Sequence, residues 1–173
     1  GNVISTGFLN TLIGGLTGDA LTTGNNNTAV GYSALSADTL GDRNTALGVS
    51  ALGAQNFTTT TDSYNVGLGY TAGASITTGT NNVLIGGQAG DALTDSDSNV
   101  AIGRGALSTD TLGSRSVAIG QSALSAQNFT TATNSHNTAV GHAAGATIST
   151  GNENTLIGAL AGLAMTTGKK ATL

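Results

Sequence analysis

A glycine preceded by a short apolar run recurs along the chain at nearly fixed intervals. The unit is Asn–(Thr/Val)–(Ala/Leu/Gly)–(Val/Ile/Leu)–Gly, written "NVAIG" at Asn99–Gly103 and "NTALG" at Asn44–Gly48. It occurs nine times when Ser116 stands for Asn, ending at Gly14, Gly31, Gly48, Gly69, Gly86, Gly103, Gly120, Gly141 and Gly158. All but two of the steps between these glycines are identical, and the steps from Gly48 to Gly69 and from Gly120 to Gly141 are longer by the same amount. A fixed short period marks a stack of like units, each contacting its neighbours. The 17-residue unit is too small for two helices and a turn. It suits two short strands and two turns, with Thr, Val and Ile favouring pleated structure and Gly permitting tight corners. The expected fold is therefore all-β, a parallel β-solenoid of nine 17- or 21-residue coils. At about 4.8 Å per coil the rod would be roughly 40 Å long.

Four units form a longer repeat. Residues 10–81 match residues 82–153 at 42 of 72 positions without a gap. Gly1 continues the register, aligning with Gly73 and Gly145. Residues 1–173 thus read as one repeat module with partial repeats at both ends. Because the chain starts at Gly1 without Met and begins and ends inside the pattern, a piece of a longer fibrous protein is expected.

Columns around the motif glycine are equally regular. Ala follows three places later in eight units, with Thr17 as the exception. Thr, Asn or Ser follows eight places later, from Thr22 to Thr166, and Gly24, Gly41, Gly79, Gly113, Gly151 and Gly168 then read as a turn. The two 21-residue units place their extra length here, as "NFTTTTDSY" (Asn56–Tyr64) and "NFTTATNSH" (Asn128–His136). Stacking would set each motif Asn over the next as an amide ladder, and the Thr column over itself as a hydroxyl ladder. Within each strand, alternate residues face opposite ways. Val and Ile are expected to fill the inside of the coil. The other face reads Leu12, Ala29, Ala46, Gly67, Leu84, Ala101, Ala118, Ala139 and Leu156, none of them polar. A solvated face would alternate to polar residues, so this one is expected to be covered by a second chain in a homo-oligomer. The alternative is a two-sided core inside one broad coil.

Composition removes several function classes. Charged residues are 8%, against about 25% in ordinary domains. Arg43, Arg104, Arg115, Lys169 and Lys170 are the whole positive set against a net charge of −4, so no nucleic-acid partner is expected. There is no Cys for disulfides or thiolate zinc sites. No apolar run approaches the roughly 18 residues of a membrane span, so no membrane insertion is expected. His136 and His142 stand where the first long repeat has Tyr64 and Tyr70, which reads as exchange at surface columns rather than catalysis. "DSDSN" (Asp95–Asn99) lacks the glycine and bidentate Glu of a calcium loop. "GLGYTAG" (Gly67–Gly73) is not a phosphate fingerprint, since its glycines belong to the repeat columns. No catalytic residue, cofactor or metal is expected. What remains is binding, by features that interrupt the rod: Tyr32, Phe57, Tyr64, Tyr70, Phe129 and His136. Aromatic rings there would stack on sugars, or Phe57 and Phe129 would pin their loops to the coil.

"SVAIG" at Ser116–Gly120 and "NVAIG" at Asn99–Gly103 resemble the head repeats of trimeric autotransporter adhesins. "NTAVGYSAL" at Asn27–Leu35, with "TTGNNN" before it, is similar to repeats of bacteriophage tail-fibre and related surface proteins. The resemblance implies a left-handed β-roll assembled as a homotrimer. It further implies a non-enzymatic structural or adhesive module of an extracellular fibre, on a virion tail or a bacterial surface. A host-surface glycan or protein receptor would be its partner. Two other readings are a self-polymerising filament, templated by exposed strand edges, and an ice-binding solenoid using the Thr column.

Overall fold

The computed structural model describes residues 6–173; Gly1 and the register it continues lie outside the described residues. The chain winds through β1 (Thr11–Ile13), β2 (Thr28–Val30), β3 (Gly41–Asp42), β4 (Thr45–Leu47), β5 (Thr61–Asp62), β6 (Val66–Leu68) and β7 (Val83–Ile85). It continues through β8 (Val100–Ile102), β9 (Gly113–Ser114), β10 (Val117–Ile119), β11 (Thr133–Asn134), β12 (Thr138–Val140) and β13 (Thr155–Ile157). Nine three-residue strands, one per coil, form a single sheet in the order β1-β2-β4-β6-β7-β8-β10-β12-β13. All neighbours are parallel and in register, Ala101 opposite Ala118 and Ala118 opposite Ala139. The molecule is a parallel β-solenoid of nine coils, without helix among the described residues. In the two longer coils, the insert pairs with the preceding coil: Thr61 with Gly41 and Thr133 with Gly113.

The strand faces are the reverse of the expectation. The central residues Ala29, Ala46, Leu84, Ala101, Ala118, Ala139 and Leu156 are fully buried in the lumen. Val and Ile on either side of them point outward and are partly exposed. The pleat explains this. Asn27, Asn65, Asn82, Asn99 and Asn154 are fully buried two places before the strand centre, so by alternation the centre faces inward with them. A coil this narrow has room for Ala but not for Val and Ile on both sides of one strand.

The inward asparagines do form the expected ladder, mostly through the backbone. Asn27 Oδ1 accepts the Asn44 amide at 2.8 Å, and Asn27 Nδ2 donates to Gly41 O at 2.9 Å. The same pair of bonds recurs with Asn82 accepting from Asn99 and donating to Ser96 O. Each such Asn closes its own coil and fixes the next, so neither end of its buried amide is idle.

Corners are made by left-handed backbone. The motif glycines have φ between 126 and 137°, and a Cβ on Gly31 would stand 2.5 Å from Gly48 O, so no other residue fits. Three more columns are left-handed and carry 22 non-glycine residues, among them Ser33, Leu35 and Arg43. Side chains other than Gly, Asn and Asp seldom occupy this region; here stacked neighbours hold them in it.

The four-coil period comes from filling one narrow lumen. Leu12, Leu84 and Leu156 at the strand centre are matched by Gly18, Gly90 and Gly162, four places beyond the motif glycine. A Cβ at Gly90 would lie 2.8 Å from both the Leu84 and Leu93 side chains. Where the centre is Ala29, Ala46, Ala101 or Ala118, that later position holds Leu35, Leu52, Leu107 or Leu124, all fully buried. Large and small residues thus trade places in three coils of each four; in the fourth both are small, Gly67 with Gly73 and Ala139 with Gly145, and leucines of the neighbouring coils reach Gly73 (Leu52 and Leu84) and Gly145 (Leu124 and Leu156).

Candidate functional site

The most extended surface feature is the outer face of the nine-stranded sheet. Its last column reads Ile13, Val30, Leu47, Leu68, Ile85, Ile102, Ile119, Val140 and Ile157. Ile13 is 59% exposed and Ile157 56%. Its first column is Thr or Val throughout, from Thr11 to Thr155. The result is an apolar strip running the length of the rod. Isolated exposed apolar residues are ordinary, but a contiguous strip marks a contact surface. The face open to a second chain is therefore the Val/Ile face; the Ala face expected to be covered by a neighbour is the inside of the coil.

Candidate binding residues fall into two groups. Tyr32 and Tyr70 directly follow motif glycines and stand out from the coil, 57% and 62% exposed. Tyr64 and His136 end the long turns and are also exposed. Tyr64 belongs to a surface cluster: Arg43 pairs with Asp62, donates to the Tyr64 hydroxyl at 3.3 Å and lies 5.5 Å from its ring centroid. Asp62 beside it, then Tyr64, hold the Arg43 guanidinium charged even more firmly than usual. Phe57 and Phe129 are only 5% and 7% exposed, so their rings hold the long turns against the coil. The exposed members are thus spread over different coils and different turns rather than gathered into one site.

What holds the long turns is a feature the sequence reading does not contain. Seven places after the motif glycine the chain faces the lumen, and this column reads Leu21, Asp38, Gln55, Ile76, Leu93, Asp110, Gln127 and Ile148. Gln55 Nε2 donates to Asp38 Oδ2 at 2.6 Å, and Asp38 Oδ1 accepts the amides of Gly41 at 3.1 Å and Phe57 at 3.4 Å. Asn65 Nδ2 donates to Gln55 Oε1 at 2.9 Å. The second long repeat copies the arrangement, with Gln127 on Asp110 at 2.6 Å and the Phe129 amide at 2.9 Å. Burial raises the Asp38 carboxyl above its ordinary value, opposed first by the Gln55 bond and then by the Gly41, Phe57 and Leu40 amides. Both oxygens of each Asp are used, so the pair ties the insert to the core and leaves nothing for a substrate. The available signal is the recurrence of Asp and Gln beside each insert, at the same place in both long repeats.

The Thr column is likewise occupied. Thr22 Oγ1 donates to Thr39 O at 3.0 Å and Thr94 Oγ1 to Thr111 O at 3.0 Å. Hydroxyls spent on the next coil's carbonyls are poorly placed to bind an ice lattice. Among the described residues, no group of three or more His, Asp or Glu is gathered to hold a metal ion, and no helix is long and apolar enough to cross a membrane. Comparison with protein-family models, curated proteins and solved structures finds no match, so the chain stands on its own architecture as a β-solenoid.

Proposed function

We propose that this chain is a structural and adhesive module of an extracellular fibre, on a phage tail or a bacterial surface. It acts as a stiff rod, assembles as a homotrimer and presents its turns to a host-surface glycan or protein. The unbroken outer column from Ile13 to Ile157 carries this reading. Burying such a strip against like strips on a common axis removes it from water along the whole rod, at about 25 cal/mol per Å² of apolar surface. Three copies on one axis also multiply weak surface contacts.

Light scattering across a range of concentrations tests it. A stable mass of three chains, each 16.8 kDa, is expected. A monomer at all concentrations would overturn it.

A further inference from the structure

A hollow opens on the polar surface of the rod across coils five, six and seven. Gly105 lines it, in the column that elsewhere holds Ser33, Ser50 and Gln88. A Cβ at Gly105 would meet only Ser108 Oγ, at 3.9 Å. The hollow has a volume of about 310 Å³ and is lined by Gln88, Asp91, Arg104, Gly105, Ser108 and Ser122 among others. This volume is at the low end for small-molecule sites. Asp91 Oδ1 is enclosed at its edge and accepts no hydrogen bond. Enclosure raises the Asp91 carboxyl above its usual value, with only its own backbone amide acting the other way.

We propose that this hollow binds a single neutral saccharide residue. The lining offers a carboxylate and an amide oxygen as acceptors, and guanidinium, amide and hydroxyl groups as donors. That mixture answers vicinal hydroxyls, each of which donates and accepts. Asp91 repels a phosphate, Arg104 repels a divalent cation, and no apolar wall welcomes an aliphatic ligand. The first long repeat serves as an internal contrast. Its equivalents of Gln88, Arg104 and Gly105 are Leu16, Tyr32 and Ser33, so the amide and the guanidinium are gone and a side chain stands in the glycine's place. The inference deepens the surface-recognition part of the proposed function and does not depend on the trimer.

Saturation-transfer NMR on the intact chain tests it, with methyl glycosides of mannose, galactose and N-acetylglucosamine as probes and inorganic phosphate as a control. At least one glycoside should receive saturation and shift the amides of Asp91 and Gly105. Asp91→Asn and Gly105→Gln should each weaken that binding tenfold or more, with the melting temperature held. Gln88 already occupies the Gly105 column at φ 61°, so the second variant keeps the fold. No saturation of any glycoside, binding unchanged in both variants, or phosphate binding in place of the glycosides would each overturn the proposal. A trimer by light scattering together with silent glycosides would sink this site alone.

Discussion

Coils two and three enclose a partly polar lumen, and coils four and five an apolar one at the same column. In the first pair the core is Ala29, Leu35 and Asp38 stacked on Ala46, Leu52 and Gln55; in the second it is Gly67, Gly73 and Ile76 on Leu84, Gly90 and Leu93. The register of the nine-stranded sheet and the buried asparagine column are the same in both. The comparison separates two jobs. Apolar coils stabilise by close packing alone, while polar coils also fix a loop, because Asp38 bonds the Phe57 amide at the root of the insert.

The sharpest way to break the comparison is to exchange packing. Leu84→Ala opens a cavity in the apolar coil and should cost about 3 kcal/mol. Gly90→Leu alone overpacks the lumen and forces a bulky side chain to φ 55°, and should cost about as much. The double variant restores the Ala-and-Leu arrangement of coils two and three. Its loss should be smaller than the sum by about 1 kcal/mol or more, in the sense of a double-mutant cycle read by chemical denaturation. Additive losses would refute the volume trade. Next in size, Gln55→Leu strips the Asp38 carboxylate of its side-chain donor and should destabilise by about 1–3 kcal/mol. It should also sharpen proteolytic cutting within 57–64, whereas Leu93→Ala in the apolar coil should leave that loop intact.

A smaller effect is expected from pH. The folded Asp38 carboxyl sits above its ordinary 3.8, so the folded state binds that proton more tightly than the unfolded chain. Its contribution to stability should grow as pH falls through the folded value, reach its full extent below 3.8, and be absent near neutrality. The stability difference between the parent chain and Asp38→Asn should shift in that direction between pH 7 and pH 4, and a flat difference would contradict it. Smallest of all is Arg43→Ala: the pair with Asp62 is exposed on the surface, and its loss should not move the melting curve measurably.

Much of this fold is legible from glycine spacing, because a solenoid repeats its backbone and glycine is where that backbone admits nothing else. Coil number, strand positions, the register-keeping asparagines and the site of the inserts all follow. The inside of the coil does not. Hydrophobicity alone assigns Val and Ile to the core, yet the strand is very short and its parity is set by the buried Asn. The same Asn that marks the motif fixes the face once its burial is recognised. The lumenal column of Asp38, Gln55, Asp110 and Gln127 escapes for a related reason: polar residues read as surface unless a partner one coil away is considered. The hollow at Gly105 is hidden because it is made of an absence, at a column whose ordinary occupants are variable.

The 22 side-chain-bearing residues held in the left-handed region bear on how the rod forms. A lone coil would carry several such residues, each costing on the order of 1 kcal/mol, with no neighbour to hold them there. The first coil is therefore unfavourable and each added coil is templated by the one before. The rod should form by slow nucleation and rapid growth, and should come apart from its ends, coil by coil.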